Sequence, residues 1–276
     1  MSTESPIPAK VRTVRERHEE KFPAFVHADW AVAFPWLLQG TTTRGAPEHE
    51  FDFGLFSEGT RSKAVQEHWH QLLTVTGMRV AIHAPQVHEA NVRLYQAGGD
   101  GSGLQLIEAC DGHITNQIGV LLAVTTADCV PIFLVEPQAR VVGVLHAGWR
   151  GALGGVLEAA THSMESLGGD VGNIKAAIGP CISQKSYEVG REFLERFQIS
   201  GFRSACFFKA AQKKNHYLFD LEGYVAKRLE ARGIRRIERC GVDTYEDSGR
   251  CYSFRRSQHL MERDYGRSLS VITVCP

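Results

Sequence analysis

Ala127-Asp128-Cys129-Val130-Pro131-Ile132-Phe133-Leu134-Val135-Glu136-Pro137-Gln138-Ala139-Arg140-Val141-Val142-Gly143-Val144-Leu145-His146 reads as two apolar runs around a short polar break. The runs at 132–135 and 141–145 are continuous rather than alternating, as in strands covered on both faces. Glu136-Pro137-Gln138-Ala139 has the composition of a four-residue hairpin loop. In that register Val135 faces Arg140, and Cys129 lies directly opposite His146. Opposed residues hold their Cβ atoms about 4.5–5.5 Å apart, so a thiol and an imidazole come within reach of one metal ion. A slip of one residue would send them to opposite faces.

Outward from this hairpin, the pattern alternates between strands and helices. Val65, Trp69, Leu72, Leu73 and Val75 make residues 61–77 an amphipathic helix, stopped at Gly77. Strands are expected at 119–125, 174–178 and 269–274, and helices at 149–167, 187–197 and 220–232. Hairpins beside βα units predict an α/β fold of the mixed-sheet sandwich type, formed by a single domain over residues 22–276. The polar residues 1–21 are expected to be flexible, frayed or weakly helical. The Gly98–Gly103 patch is expected to be an exposed turn.

Bulk properties narrow the function. The chain has 276 residues, 43% hydrophobic and 22% charged, enough to bury a sizeable core without disulfides. Its formal net charge is zero, which argues against a nucleic-acid or anionic-membrane partner. The seven cysteines are scattered, with no Cys-x-x-Cys pair, as expected of reduced thiols in the cytoplasm. The N-terminus lacks a signal-peptide pattern. No apolar run approaches the roughly 20 residues of a membrane span.

Two protein ligands in reach of each other suggest a third. Three ligands and an open position make a catalytic zinc site, whereas four closed ligands make a structural one. The nearest preceding histidines are His83, His88 and His113, and composition leaves the choice among them open. A cysteine beside a buried strand is ordinarily a small hydrophobe, and a histidine is ordinarily a hydrogen-bonded core or surface residue.

Several phrases together resemble the YfiH family, once labelled polyphenol oxidase or laccase domain. They are Gln86-Val87-His88, Thr126-Ala127-Asp128-Cys129-Val130-Pro131, His146-Ala147-Gly148-Trp149-Arg150-Gly151, Ile178-Gly179-Pro180-Cys181-Ile182, Tyr187-Glu188-Val189 and Ser253-Phe254-Arg255-Arg256. The resemblance runs from about Leu38 to Val274. It implies purine nucleoside phosphorylase and adenosine deaminase activity, with His88, Cys129 and His146 as metal ligands and Arg44 near the active site. The chain departs from the family's pattern twice: Gly45-Ala46-Pro47-Glu48 replaces a Gly-Gly pair, and Asp243-Thr244 replaces a Cys-Thr pair. The family also implies an alternative substrate, a wrongly built peptidoglycan precursor.

Two imidazoles and a thiolate suit zinc, with copper the less favoured ion. Zinc lowers the pKa of a bound water to about 7, and attack of such a water at C6 of adenosine would release ammonia; nucleobase deaminases also use a general acid/base. Asp128 and Glu89 are candidates for that role, each with a plain alternative as a solvated or supporting carboxylate. Phosphorolysis needs arginine forks for phosphate. Arg44 and Arg150 are the choices, with Arg150 where a helix begins. Arg255 or Arg256 stands behind them, and on a strand at most one of these can point inward. Small-molecule substrates, purine nucleosides and phosphate, are therefore the expected partners of a monomer or homodimer. Two rivals share the same residues. A cysteine hydrolase would use Cys129 as nucleophile and His146 as base. A copper-dependent polyphenol oxidase would need several further His-x-His pairs clustered together, whereas the chain has a single such pair, His68-Trp69-His70.

Overall fold

The structure is a computed structural model that describes residues 11–13, 23–46, 48–55, 62–96, 101–200 and 204–276. Two sheets face each other. The first has seven strands in the order Val11–Thr13, Pro23–Phe25, Leu37–Thr42, Ser268–Val274, Val120–Thr126, Val80–His83 and Gly103–Leu106. The second has six, in the order Arg236–Arg239, Lys175–Ile178, Val130–Glu136, Val141–Ala147, Gly112–Thr115 and Val92–Leu94. Parallel and antiparallel pairs occur in both: Val120–Thr126 runs antiparallel to Ser268–Val274 and parallel to Val80–His83.

Side-chain alternation explains the uninterrupted apolar runs. Phe133, Val135, Val142 and Val144 face the other sheet and pack with Leu122, Val124, Ile272 and Val274. Their neighbours Ile132, Leu134 and Leu145 point outward, onto helices Val156–Ser166 and Leu221–Ala231. On the far side, Leu121, Ala123, Leu269 and Val271 pack under helix Ser62–Thr76 through Val65, Trp69 and Leu72. Successive residues thus enter different apolar layers, in a helix–sheet–sheet–helix sandwich. This is the mixed α/β sandwich expected from the sequence. A third, three-stranded sheet of Glu188–Gly190, His216–Phe219 and Phe208–Ala210 lies beside it.

The structure corrects several boundaries. The hairpin pairs Val135 with Val142 and Glu136 with Val141, so the loop is Pro137-Gln138-Ala139-Arg140, one residue later than its composition suggested. Arg140 takes a left-handed conformation, φ 51°, and the Glu136 carboxylate accepts the Ala139 N–H at 2.6 Å. His146 is therefore paired with Pro131, not Cys129, and Cys129 precedes the first strand residue. The helix read over 149–167 is two helices, Trp149–Gly154 and Val156–Ser166, broken where Gly155 adopts φ 104°. The helix read over 187–197 begins only at Arg191, after strand Glu188–Gly190. Within the segment read as frayed or weakly helical, Val11–Thr13 form a strand paired with Pro23–Phe25; residues 1–10 and 14–22 lie outside the described residues. Of the glycine patch, residues 98–100 also lie outside them, and Gly103 opens a strand.

Candidate metal centre

The shifted register leaves the site intact because the offset in pairing is even. His146 keeps the parity of Val142 and Val144 and stands at the end of the layer between the sheets. Cys129 follows Asp128, whose φ of 85° turns the chain just before the strand. His88 lies in the loop after strand Val80–His83 and also holds a left-handed conformation, φ 60°. Non-glycine residues rarely adopt such angles, and they concentrate at functional sites.

His88, Cys129 and His146 offer ligand atoms that all lie within 4.8 Å of one another, the one such group of three among the described residues. The two imidazole rings are 4.6 Å apart and nearly perpendicular. The donor set fits a borderline-soft divalent ion. Around it the backbone closes in. A Cβ on Gly148 would come within 2.9 Å of His88 Cδ2 and 3.1 Å of Cys129 Sγ. One on Gly151 would come within 2.8 Å of the Glu89 carbonyl oxygen. The two glycines of His-Ala-Gly-Trp-Arg-Gly therefore let the Trp149–Gly154 helix seat against the His88 loop.

Asp111 organises both histidines. Its Oδ1 accepts a hydrogen bond from His146 Nδ1 at 2.8 Å and from the His88 N–H at 2.9 Å; its Oδ2 accepts from the Glu89 N–H at 2.8 Å. The bond at Nδ1 directs His146 Nε2 toward the cysteine. The sequence reading gave Asp111 no role; its adjacency to Gly112-His113 is a weak signal, because the partner His146 is distant in the chain.

The electrostatics are those of a coupled pair. Burial pushes the Cys129 thiol up, but the imidazoles of His146 and His88 outweigh it and bring it down to about 6. Burial pushes His146 down, but Cys129 and Asp111 raise it to about 9. Asp111 is held below its ordinary value: burial opposes this, and the hydrogen bonds from His146 and the backbone prevail.

Two cavities meet at this trio. The larger, about 450 Å³, is walled by Trp149, Tyr187, Phe193, Phe254, Arg150 and Arg255, among others, and shares His88, Ala127 and Cys129 with the smaller. The smaller, about 160 Å³, includes Gln86, Thr125, Thr126, Tyr265 and Arg267.

The other residues singled out in the sequence fall as follows. Asp128 lines the larger cavity with both oxygens occupied: Oδ1 accepts from the Thr244 hydroxyl at 2.7 Å and Oδ2 from the Arg255 N–H at 2.6 Å. Burial nevertheless raises its pKa. Arg150 is exposed at the cavity, 4.7 Å from the Trp149 ring. It is the second residue of the six-residue helix Trp149–Gly154, which begins after Gly148 as expected from the sequence. Arg44 pairs with Glu50, donates to the Ser248 carbonyl and sits 5.1 Å from the Tyr252 ring; it lines neither cavity. Glu89 is exposed and accepts from Asn91. Arg255 and Arg256 lie on helix Phe254–His259, not on a strand. Arg255 lines the cavity and donates to the Glu188 carbonyl, while Arg256 is spent on the carbonyls of Thr244, Tyr245 and Cys251. Asp243, which replaces the family's cysteine, accepts from Ser183 and Ser186 and fixes the turn before Tyr187. Pro47 lies outside the described residues. The aromatic wall was not anticipated; Trp149 inside a glycine-flanked phrase was the available signal.

A family model described as multi-copper polyphenol oxidoreductase laccase matches residues 39–275. A Rickettsia conorii protein named purine nucleoside phosphorylase is 35% identical over 168 residues, 61% of this chain and 69% of that one. A protein named adenosine deaminase, from an unknown prokaryotic organism, is 45% identical over 96 residues, 35% of this chain and 37% of that one. The crystal structure of the Bacillus licheniformis hypothetical protein YfiH matches with a TM-score of 0.79 at 23% identity, covering 92% of this chain and 96% of that one.

Proposed function

This chain belongs to the YfiH family, the one described as multi-copper polyphenol oxidoreductase laccase, and from that premise we propose that it is a zinc-dependent purine nucleoside phosphorylase that also deaminates adenosine. The convergence of His88, Cys129 and His146 beside an aromatic-walled cavity is the observation that carries this reading. Relatives named purine nucleoside phosphorylase and adenosine deaminase support the substrate class.

The two imidazoles and the thiolate would hold the ion, which supplies a Lewis acid with a free coordination position. Asp111 keeps His146 in one tautomer and one orientation, as partners of metal-bound histidines do. The larger cavity is in the size range of a small-molecule site. Trp149, Tyr187, Phe193 and Phe254 offer ring faces to a purine. Arg150 stands over Trp149 at this cavity, open to an anion or to ribose hydroxyls. Asp128 acts as a positioning residue, fixing the start of the Phe254–His259 helix that carries Phe254 and Arg255. Arg44 would have to leave Glu50 to meet phosphate. The family description carries copper, but a multicopper enzyme needs further clustered histidines, and the described residues offer one three-ligand group. Seven free thiols support a reducing compartment, the cytoplasm. Among the described residues no helix is long and apolar enough to cross a membrane.

One observation favours a second reading: a thiol brought to about 6 by a neighbouring imidazole is also the signature of a cysteine nucleophile. Incubation with adenosine and inosine, with and without phosphate, separates the two when products are read by chromatography. Phosphate-dependent release of hypoxanthine, lost on chelation and restored by zinc, is the expected result. Activity that survives chelation but not alkylation would replace the metal reading with the thiol one.

A further inference from the structure

The smaller cavity has no part in the reading above, and its size and lining suit a different ligand. At about 160 Å³ it is too small for a nucleoside, since small-molecule sites typically span about 300–1,000 Å³. It is still far larger than the roughly 15 Å³ that admits one water. Its cation is Arg267, at the foot of strand Ser268–Val274. The backbone there is fixed. The Arg267 N–H donates to Asp52 Oδ1 at 2.8 Å, and a Cβ on the preceding Gly266 would collide with the Tyr252 ring. The guanidinium lies 4.4 Å from the Tyr265 ring, and its one hydrogen bond among the described residues, to the Tyr265 carbonyl, is 3.4 Å long. Among the described residues no carboxylate is ion-paired with it. It is a half-buried, stacked cation with an uncommitted fork, beside the metal ligands His88, Cys129 and His146.

We propose that Arg267 holds inorganic phosphate in this smaller cavity, so that nucleoside and phosphate reach the ligand trio from two adjoining cavities. The planar fork matches a tetrahedral oxyanion bidentately, and stacking on Tyr265 limits its rotamers before the anion arrives. The proposal rests on the phosphorolysis reading. In that reaction a phosphate oxygen forms a bond to ribose C1′ while the bond from C1′ to purine N9 breaks. The electron pair leaves with the purine, which takes up a proton, and nothing is oxidised or reduced. Separate approaches serve such a displacement because the incoming and departing groups do not compete for one pocket.

The test uses the full-length protein with inosine and phosphate varied independently, together with calorimetric titration of inorganic phosphate. Arg267→Ala is expected to raise the KM for phosphate at least tenfold while the KM for inosine moves less than about threefold, and to abolish the heat of phosphate binding. Arg267→Lys should recover part of the loss, keeping the charge without the fork, and guards against misfolding of the alanine variant. An unmoved phosphate KM in Arg267→Ala, or a tenfold rise produced by Arg150→Ala instead, would overturn the assignment. Should the wild type show no phosphate-dependent cleavage, the phosphorolysis reading falls. The titration still decides the subsite: heat lost in Arg267→Ala supports it, and equal heats overturn it.

Discussion

His146 Nδ1 donates to Asp111 Oδ1 at 2.8 Å, and that oxygen also accepts the backbone N–H of His88 at 2.9 Å, so one carboxylate holds the imidazole of one candidate ligand and the backbone of another. Asp111→Asn puts an amide N–H against the donors of Val87 and Glu89 or against His146. Metal affinity, measured by competition with a chromophoric chelator, is expected to fall about 10- to 100-fold. Unchanged affinity in a folded Asp111→Asn protein would remove the positioning role.

Gly148→Ala tests how closely the ligands are packed. The residue sits at φ −71°, which alanine adopts freely, so no backbone penalty arises. The added methyl meets His88 Cδ2 at 2.9 Å and Cys129 Sγ at 3.1 Å. Weaker zinc binding with a near-native Tm is the expected combination. A variant that binds zinc as the wild type does would show that the ligands have room to spare.

Trp149 tests the aromatic wall. Stacking of a base on an aromatic ring contributes about 1–3 kcal/mol, so Trp149→Ala is expected to raise the nucleoside KM by roughly 5- to 150-fold. Trp149→Phe should lose less. Initial rates with inosine check both, and equal KM values across the series would place the purine elsewhere.

Acid sensitivity should come from two histidines outside the centre. Burial brings His83 down to about 4 and His113 down to about 3, and His113 Nε2 has no hydrogen-bond partner. Both are neutral in the folded protein, whereas the unfolded chain takes up protons near 6.5. The unfolded state therefore binds more protons as pH falls below about 6.5, and stability declines until the folded values near 4 and 3 are reached. At pH 5.5 each histidine costs about 1.3 kcal/mol relative to pH 7. Urea midpoints between pH 7.5 and 5 should show this slope, and His113→Leu should flatten it. An equal slope in that variant would assign the acid sensitivity to other groups.

The sequence made much of this architecture legible, for one physical reason. Strands such as Val130–Glu136 and Val141–Ala147 are covered on both faces, so their apolar runs are unbroken and unmistakable. What it hid depended on single side chains acting on the backbone. The Glu136 carboxylate and the left-handed Arg140 set the hairpin loop one residue later than turn composition implied. Gly155 split a helix whose apolar spacing continued across it. At the site, the candidate ligands stand in quotable phrases, but Asp111 acts through His88, Glu89 and His146, all remote from it in the chain. Arg44 shows the converse: its phrase is legible, yet Glu50 occupies its guanidinium.

The layer between the two sheets bears on when the ion arrives. Phe133, Val142, Leu122 and Ile272 close that layer without help from any ligand atom, and His88, Asp111 and His146 meet only once strands from both sheets are in place. An ion held by His88, Cys129 and His146 would thus be a late guest in a finished house, unlike the ion of a zinc finger, whose uptake is the folding step itself. Newly made chains should be able to wait, folded and empty, for the metal supply, and ion exchange should proceed at rates unrelated to global unfolding.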